Sequence, residues 1–414
     1  MKKIVAILIG LVWVIALSAQ NDVDVFLIAR NTGEKVLSNN DTIRVFGFAE
    51  NLGSQPGVPG PTIIANEGDS VHIDVWNVSQ GAPHTIHLHG LDVNQQNDGV
   101  PHLSFDIPHM DHGFYHFKAP HAGTYLYHCH VASTIHVQAG MYGLIIIKPA
   151  NGSNTTWNNG YYFHHEFSYF LSEIDTTWHT EAVLEHAHDT SFAVHYVEIP
   201  KFDPQFFLIN GFSDQQLAQN QVELNSEAGS RNYIRLTNIG YCGTRVILPT
   251  SLNAKIIDSD GRPLPQIEYS DTVYVYPGER YGVLTETSAE FTDSIEFQYF
   301  DLNTGQIKNS QFVPINIAGF NKVEVEKVSS AQVKLSPNPF IEATTLEIKL
   351  KETSQLVIEI FDLEGKLVNT IENVNARAGE YTYDIGENLD FGGVYLVKIS
   401  LGEENVITKK IVKK

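Results

Sequence analysis

Short runs in which every second residue is apolar recur along this chain, and they leave little room for any fold but one built of strands. Ser70-Val71-His72-Ile73-Asp74-Val75-Trp76 alternates strictly, and Gly143-Leu144-Ile145-Ile146-Ile147 is a short continuous apolar stretch. Turn clusters separate such runs, among them Leu52-Gly53-Ser54-Gln55-Pro56-Gly57-Val58-Pro59-Gly60-Pro61 and Asn151-Gly152-Ser153-Asn154. Further strands are expected at 205–210, 232–237, 273–276 and 282–285, and long helical patterns are few. The expectation is an all-β chain. With 414 residues, 43% of them hydrophobic and 18% charged, it is long enough for two or three domains and can fill their cores.

The organisation follows from shifts in composition. Met1-Lys2-Lys3, an apolar run over 4–17 and the small residues Ser18-Ala19 read as a secretory signal peptide over 1–20. That run is short for a membrane span, and polar residues follow it at once. A first domain is expected over 21–150, ending near Lys148-Pro149, and a second over 151–325. The sequence turns polar near 324–332, and a third block occupies 333–414.

Charge removes one class of partner. Lys and Arg number 27 against 48 Asp and Glu, a net charge of −21, so the chain cannot neutralise a phosphate backbone. Two cysteines exclude a disulfide scaffold and a cysteine-rich zinc module. Histidine is the anomaly. All 18 fall between His72 and His195, which concentrates imidazole chemistry in less than a third of the chain.

Two clusters carry that chemistry, His84-Thr85-Ile86-His87-Leu88-His89-Gly90 and Tyr127-His128-Cys129-His130 followed by His136 and Met141. On a strand, neighbouring side chains face opposite ways, so Cys129 points away from His128 and His130, while His87 and His89 share a face. His84, beside Pro83, is expected on the preceding loop, facing elsewhere. Two imidazoles, one thiolate and a weak thioether (His84, His136, Cys129, Met141) are the donor set of a blue copper centre, in which zinc would have little use for the thioether. His87, His89, His128 and His130 are left as two His-x-His pairs suited to a second, imidazole-rich copper site. The covalent bonds from Cys129 to its neighbours would join the two sites. Electrons are expected to enter near His84 or His136 at the surface.

These motifs, together with Gly60-Pro61-Thr62, Asn97-Asp98-Gly99-Val100-Pro101 and Gly123-Thr124-Tyr125, resemble a cupredoxin domain of the multicopper oxidases, similar to the last domain of laccases. Phe207-Leu208-Ile209-Asn210-Gly211, Asp260-Gly261-Arg262-Pro263-Leu264-Pro265 and Pro277-Gly278-Glu279-Arg280-Tyr281 look like the copper-free middle domain of a laccase. The resemblance implies two cupredoxin-like Greek-key β-sandwiches, the second without recognisable copper motifs. It implies type 1 copper ligands at His84, Cys129, His136 and Met141, and type 2 and type 3 ligands at His87, His89, His128 and His130. It also implies an oxidoreductase that takes single electrons from a reductant such as a small phenol or metal ion and reduces dioxygen. In that reaction Cys129, His128 and His130 are the catalytic residues.

The sequence departs from the family in one respect. A laccase-like trinuclear cluster uses eight histidines from two domains, whereas four are evident here and none follows His195. A homo-oligomer or the earlier histidines would complete the site, or it holds fewer coppers. A non-catalytic copper-binding or electron-transfer cupredoxin, and a nitrite-reductase-like enzyme, are the rival readings. The third block, with Leu335-Ser336-Pro337-Asn338-Pro339, Gly393-Val394-Tyr395 and the basic tail Lys409-Lys410-Ile411-Val412-Lys413-Lys414, resembles the C-terminal sorting domain of the Bacteroidetes type IX secretion system. That implies a small β-sandwich, passage across the outer membrane, and release or surface attachment.

The remaining residues have ordinary roles available. His102, His109, His112, His116 and His121 read as solvated surface, with accessory copper loading or completion of the second site as the alternative. His164, His165, His179, His186, His188 and His195 read as polar surface, although His186-Ala187-His188 has chelating spacing. His72 reads as structural and Cys242 as a buried inert thiol. Asp92 and Asp98 belong to turns unless they deliver protons.

Overall fold

The computed structural model describes residues 21–81, 83–186, 199–319, 331–362, 365–386, 389, 392–402 and 405–414. The expected signal peptide, His188 and His195 lie outside the described residues. The described chain is strand-rich, as its alternation requires.

Eight strands and one short helix make up residues 22–148: β1 (Asp22–Val36), β2 (Thr42–Ala49), β3 (Ile63–Asn66), β4 (Ser70–Asn77), β5 (His87–His89), β6 (His112–Lys118), β7 (Gly123–His128), α1 (Ser133–Ala139) and β8 (Tyr142–Lys148). They form two four-stranded sheets, β2-β1-β4-β6 and β3-β8-β7-β5. The parallel pairs β1 with β4 and β3 with β8 come from the crossovers of a Greek key. Leu27, Phe46, Val71, Ile73 and Val75 of one sheet meet Ile63, Tyr125, Tyr127, Ile145 and Ile147 of the other in a common core. Period two decides which side chains enter it: β4 alternates half-buried and buried residues along its whole length.

The apolar run in β8 is continuous because both of its faces are covered. Leu144 and Ile146, with Leu126, Val137 and Tyr142, pack against Phe170 and Ile239 of the following sandwich.

That second sandwich has a six-stranded and a five-stranded sheet from residues 165–318, closed around Leu171, Ile234, Leu236, Val283, Phe297 and Val313. Its first strand, β9 (His165–Ile174), is followed by the short helix α2 (Glu181–His186). The two sandwiches are also joined by polar contacts. Tyr142 donates to Ser172 at 2.9 Å, and buried Arg235 donates to Thr124 Oγ1 at 2.7 Å. A three-stranded and a four-stranded sheet from residues 331–413 share a third core around Leu346, Ile358, Val397 and Ile411.

Candidate metal centre

Cys129 directly follows β7, and its backbone N–H donates to the carbonyl of Met141 at 3.0 Å. His136 lies on α1, which ends at Gly140 with φ +118. A glycine is required there, because a Cβ would lie 2.5 Å from Val58 and 2.7 Å from the Phe46 carbonyl. The reversal brings the Met141 N–H onto the His136 carbonyl at 2.9 Å, so backbone hydrogen bonds link Cys129, Met141 and His136 in series. His84 arrives from the loop before β5, held by paired backbone hydrogen bonds to Ile107.

Cys129 Sγ lies 3.3 Å from His136 Nδ1 and 3.7 Å from His84 Nδ1. The two imidazoles and the thiol could hold a metal ion, and Met141 is buried in the same core as Cys129. Burial pushes the Cys129 thiol up to about 11, against opposing hydrogen bonds at Thr85, Val131 and His130. A thiol in such a place ionises only when a cation neutralises it.

On the other side of Cys129, four imidazoles gather. His87 and His89 flank buried Leu88 on β5, and His87 sits opposite His128 in the register with β7. Ring centroids are 5.2 Å apart for His87 and His128, 5.4 Å for His87 and His130, and 5.6 Å for His89 and His128.

Their tautomers are set by backbone acceptors. His87 Nδ1–H donates to the Asp98 carbonyl at 2.7 Å, and His128 Nδ1–H to the Cys129 carbonyl at 3.0 Å, which leaves each Nε2 lone pair available. Burial lowers His128 to about 3. Burial, Arg280 and His87 lower His89 to about 4. Both rings are therefore neutral, the form in which imidazole binds a metal.

The opposed directions of Cys129 and its neighbours, the shared face of His87 and His89, and the separate loop for His84 all agree with the expectation from strand parity. Electron entry at an exposed ligand does not. His84, His136 and Met141 are each 0% exposed. Trp178, Val183 and Leu184, from the segment carrying α2, enter the same core as Cys129 and Met141.

Three contributors carry no metal-ligand signature, and the sequence did not assign them to the site. Buried Thr85 accepts from the His130 N–H at 2.9 Å. Asp98 accepts from His87 through its carbonyl, and its carboxylate lies 3.5 Å from the same ring nitrogen. Gly278 abuts His89, since a Cβ there would lie 3.1 Å from the ring. The motif Pro277-Gly278-Glu279-Arg280-Tyr281 was the available signal for Gly278.

Among the described residues no fifth histidine joins the four. His109 donates to Ser79 at 2.6 Å, His179 to the Arg44 carbonyl at 2.7 Å, and His165 pairs with Glu227 at 2.9 Å. His121 contacts Tyr125, and His164 accepts from the Arg231 N–H. Asp92 pairs with Arg262, and Cys242 is buried.

Paired Greek-key sandwiches with a buried His-Cys-His junction place the chain in the cupredoxin class. Residues 49–152 and 171–311 each match a family model described as multicopper oxidase, and 334–414 match the secretion system C-terminal sorting domain. L-ascorbate oxidase from Cucurbita pepo var. melopepo is 26% identical over 258 residues, 57% of this chain and 44% of that protein. Copper resistance protein A from Escherichia coli is 42% identical over 92 residues, 22% of this chain and 15% of its own length. Blue copper oxidase from Nitrosomonas europaea superposes with a TM-score of 0.56 at 25% identity, covering 72% of this chain and 86% of that one.

The chain belongs to the multicopper oxidase family, and its residues 334–414 form a sorting domain of the kind that implies export. It spans only 42–44% of the length of the oxidoreductase from Beauveria bassiana and the L-ascorbate oxidase from Cucurbita pepo var. melopepo that it matches. Copper is the cofactor of this family, and the residues present fit it: a thiol that needs a cation, two imidazoles and a thioether on one side, and four neutral-capable imidazoles on the other. No helix among the described residues is long and apolar enough to cross a membrane.

Proposed function

We propose that the chain is an exported, laccase-like copper oxidase that removes single electrons from a small reductant and passes them to dioxygen. In this reading His84, Cys129, His136 and Met141 hold a type 1 copper. His87, His89, His128 and His130 supply the chain's share of a second, type 2/type 3 copper site. Copper, when bound, supplies the one-electron couple that links reductant to dioxygen.

The remaining work falls to the chain. The Cys129 peptide joins it covalently to His128 and His130, so the two sites share a bonded path. The Asp98 and Cys129 carbonyls fix the rings of His87 and His128. The core around Cys129, which Trp178, Val183 and Leu184 enter, keeps water from the thiolate. The observation that carries the reading is the sharing of one His-Cys-His segment between two donor clusters of opposite direction, since a pure carrier needs only the first.

Four histidines are half of a laccase-like cluster, so a second copy of the chain is proposed to face them in a homo-oligomer. A signal peptide over 1–20 and the type IX machinery would carry the protein out of a Bacteroidetes-like cell, to be released or held at the surface. The domain limits proposed are 21–150, 151–325 and 333–414.

That no fifth histidine joins the four among the described residues favours a second reading: a copper carrier or scavenger with one strong site. Elemental analysis and oxygen uptake on the purified chain separate the two. More than one copper per chain, with uptake on adding a phenol, is expected. One copper per chain, blue colour and no uptake would establish the carrier instead. Light scattering tests the oligomer, which a monomeric copper-loaded protein would overturn.

A further inference from the structure

The outer face of the first sheet carries a second group of metal-binding side chains, on the side turned away from the core that holds Cys129. Residues of one parity project there: Asp22, Asp24 and Phe26 from β1, His72, Asp74 and Trp76 from β4, and His112, Phe114 and His116 from β6. The register aligns Asp24, His72 and His116 in one row across the three strands. The next rows are Phe26, Asp74, Phe114 and then Ile28, Trp76, His112. The row on the other side ends in Lys118, opposite Ser70. Strand β2 pairs with β1 only from Ile28 onward, so Asp22 and Asp24 border an open edge.

The two imidazoles of the central row face each other. His72 Nδ1 and His116 Nδ1 are 2.6 Å apart, and His72 Nε2 lies 3.7 Å from Asp22 Oδ1. On the row beyond, His112 Nδ1 contacts Asp74 Oδ1 at 2.7 Å while its ring stacks on Trp76. Exposed histidines have no need to converge, because water satisfies each ring nitrogen. Two rings turned nitrogen to nitrogen are held either by a shared proton or by a cation that accepts both lone pairs. Asp22, Asp24 and Asp74 on the same face supply negative potential.

We infer that His72 and His116 form a surface site for one divalent transition-metal ion per chain, held between their Nδ1 atoms, while Asp22 on the opposite ring nitrogen of His72 and Asp24 beside it in the register add negative potential. A pair of imidazole nitrogens in a field of carboxylates suits Cu(II) or Zn(II). The absence of sulfur from the set disfavours Cu(I), so the site differs in kind from the Cys129 centre. A depression of about 460 Å³, lined by Asp24, Phe26, His72, Asp74, Phe114 and His116, leaves room for water as the remaining ligand.

The test is calorimetric titration of Zn(II) into the copper-replete full chain freed of loose metal, repeated for His72→Ala/His116→Ala and for Asp22→Asn/Asp24→Asn. One equivalent is expected to bind the parent. The histidine double variant should lose it, and the aspartate variant should bind at least ten-fold more weakly, with the blue absorption and melting temperature unchanged in both. A parallel titration with Cu(II), followed by electron paramagnetic resonance, should add a second nitrogen-coupled signal to that of the resident copper in the parent alone. The tighter of the two titrations identifies the preferred ion. Equal stoichiometry and affinity in parent and histidine variant would overturn the assignment, as would no binding by the parent at millimolar metal.

Discussion

The backbone N–H of His130 donates to Thr85 Oγ1 at 2.9 Å, joining segments 45 residues apart. Thr85 adjoins His84, and His130 adjoins Cys129, so this one hydrogen bond fixes the separation of two donors meant for the same metal. Thr85→Val keeps the shape and removes the acceptor. It should cost about 1–2 kcal/mol in a urea melt, because the His130 N–H loses its partner. The visible band of the copper-loaded protein should shift or weaken, and Thr85→Ser should restore it. A valine variant with parental spectrum and stability would show that the clamp is idle.

Met141→Leu probes the thioether. The swap nearly conserves volume in a fully buried position, so stability should change by less than about 1.5 kcal/mol. Copper content and blue colour should persist, while the reduction potential rises because a weak donor is lost. Redox titration of the visible band measures this. An unchanged potential would remove Met141 from the ligand set.

Gly99 supports the other cluster. Its φ is +78, and a Cβ there would lie 1.8 Å from the Ile86 carbonyl. Gly99→Ala must therefore push the turn away from β5, and with it the Asp98 carbonyl that orients His87. Copper bound by the four-histidine cluster should fall while the blue band stays. Gly68→Ala is the control: φ is +93, but nothing lies within 4 Å of the added methyl. It should show backbone strain alone, about 1–2 kcal/mol, with full copper content. Equal copper loss in both variants would mean that the turn does not position His87.

The donors were legible in the sequence because their chemistry is local. Strand parity separates Cys129 from His128 and His130 within three residues, and the same rule puts His87 beside His89. What escaped is set by tertiary packing. Nothing near His84 or His136 announces their complete burial, or that Trp178, Val183 and Leu184, which follow the first strand of the next sandwich, will enter the same core. His72 and His116 read separately as structural and solvated, and only the β4–β6 register brings them opposite each other. Thr85 and Asp98 act through a hydroxyl and a carbonyl, groups too common in sequence to single out.

Glu173 gives stability a pH dependence of predictable sign. It is buried beside Tyr241 and Cys242, whose backbone N–H groups donate to its carboxylate, and burial nevertheless pushes it up to about 7. The folded chain thus holds this proton more tightly than the unfolded chain, where the pKa is near 4.5. Its contribution is fully present below about pH 4.5 and is lost as pH rises through about 7, by roughly 2–4 kcal/mol. Asp258, raised by burial to about 6, acts in the same direction. Buried His179 acts in the opposite one, being lowered by desolvation and therefore destabilising as pH falls. Comparison of parent with Glu173→Gln cancels these other groups. The difference in urea midpoints should be small near pH 5 and should grow in favour of the variant toward pH 8. A difference that stays flat across that range would mean that Glu173 is ionised in the folded protein throughout.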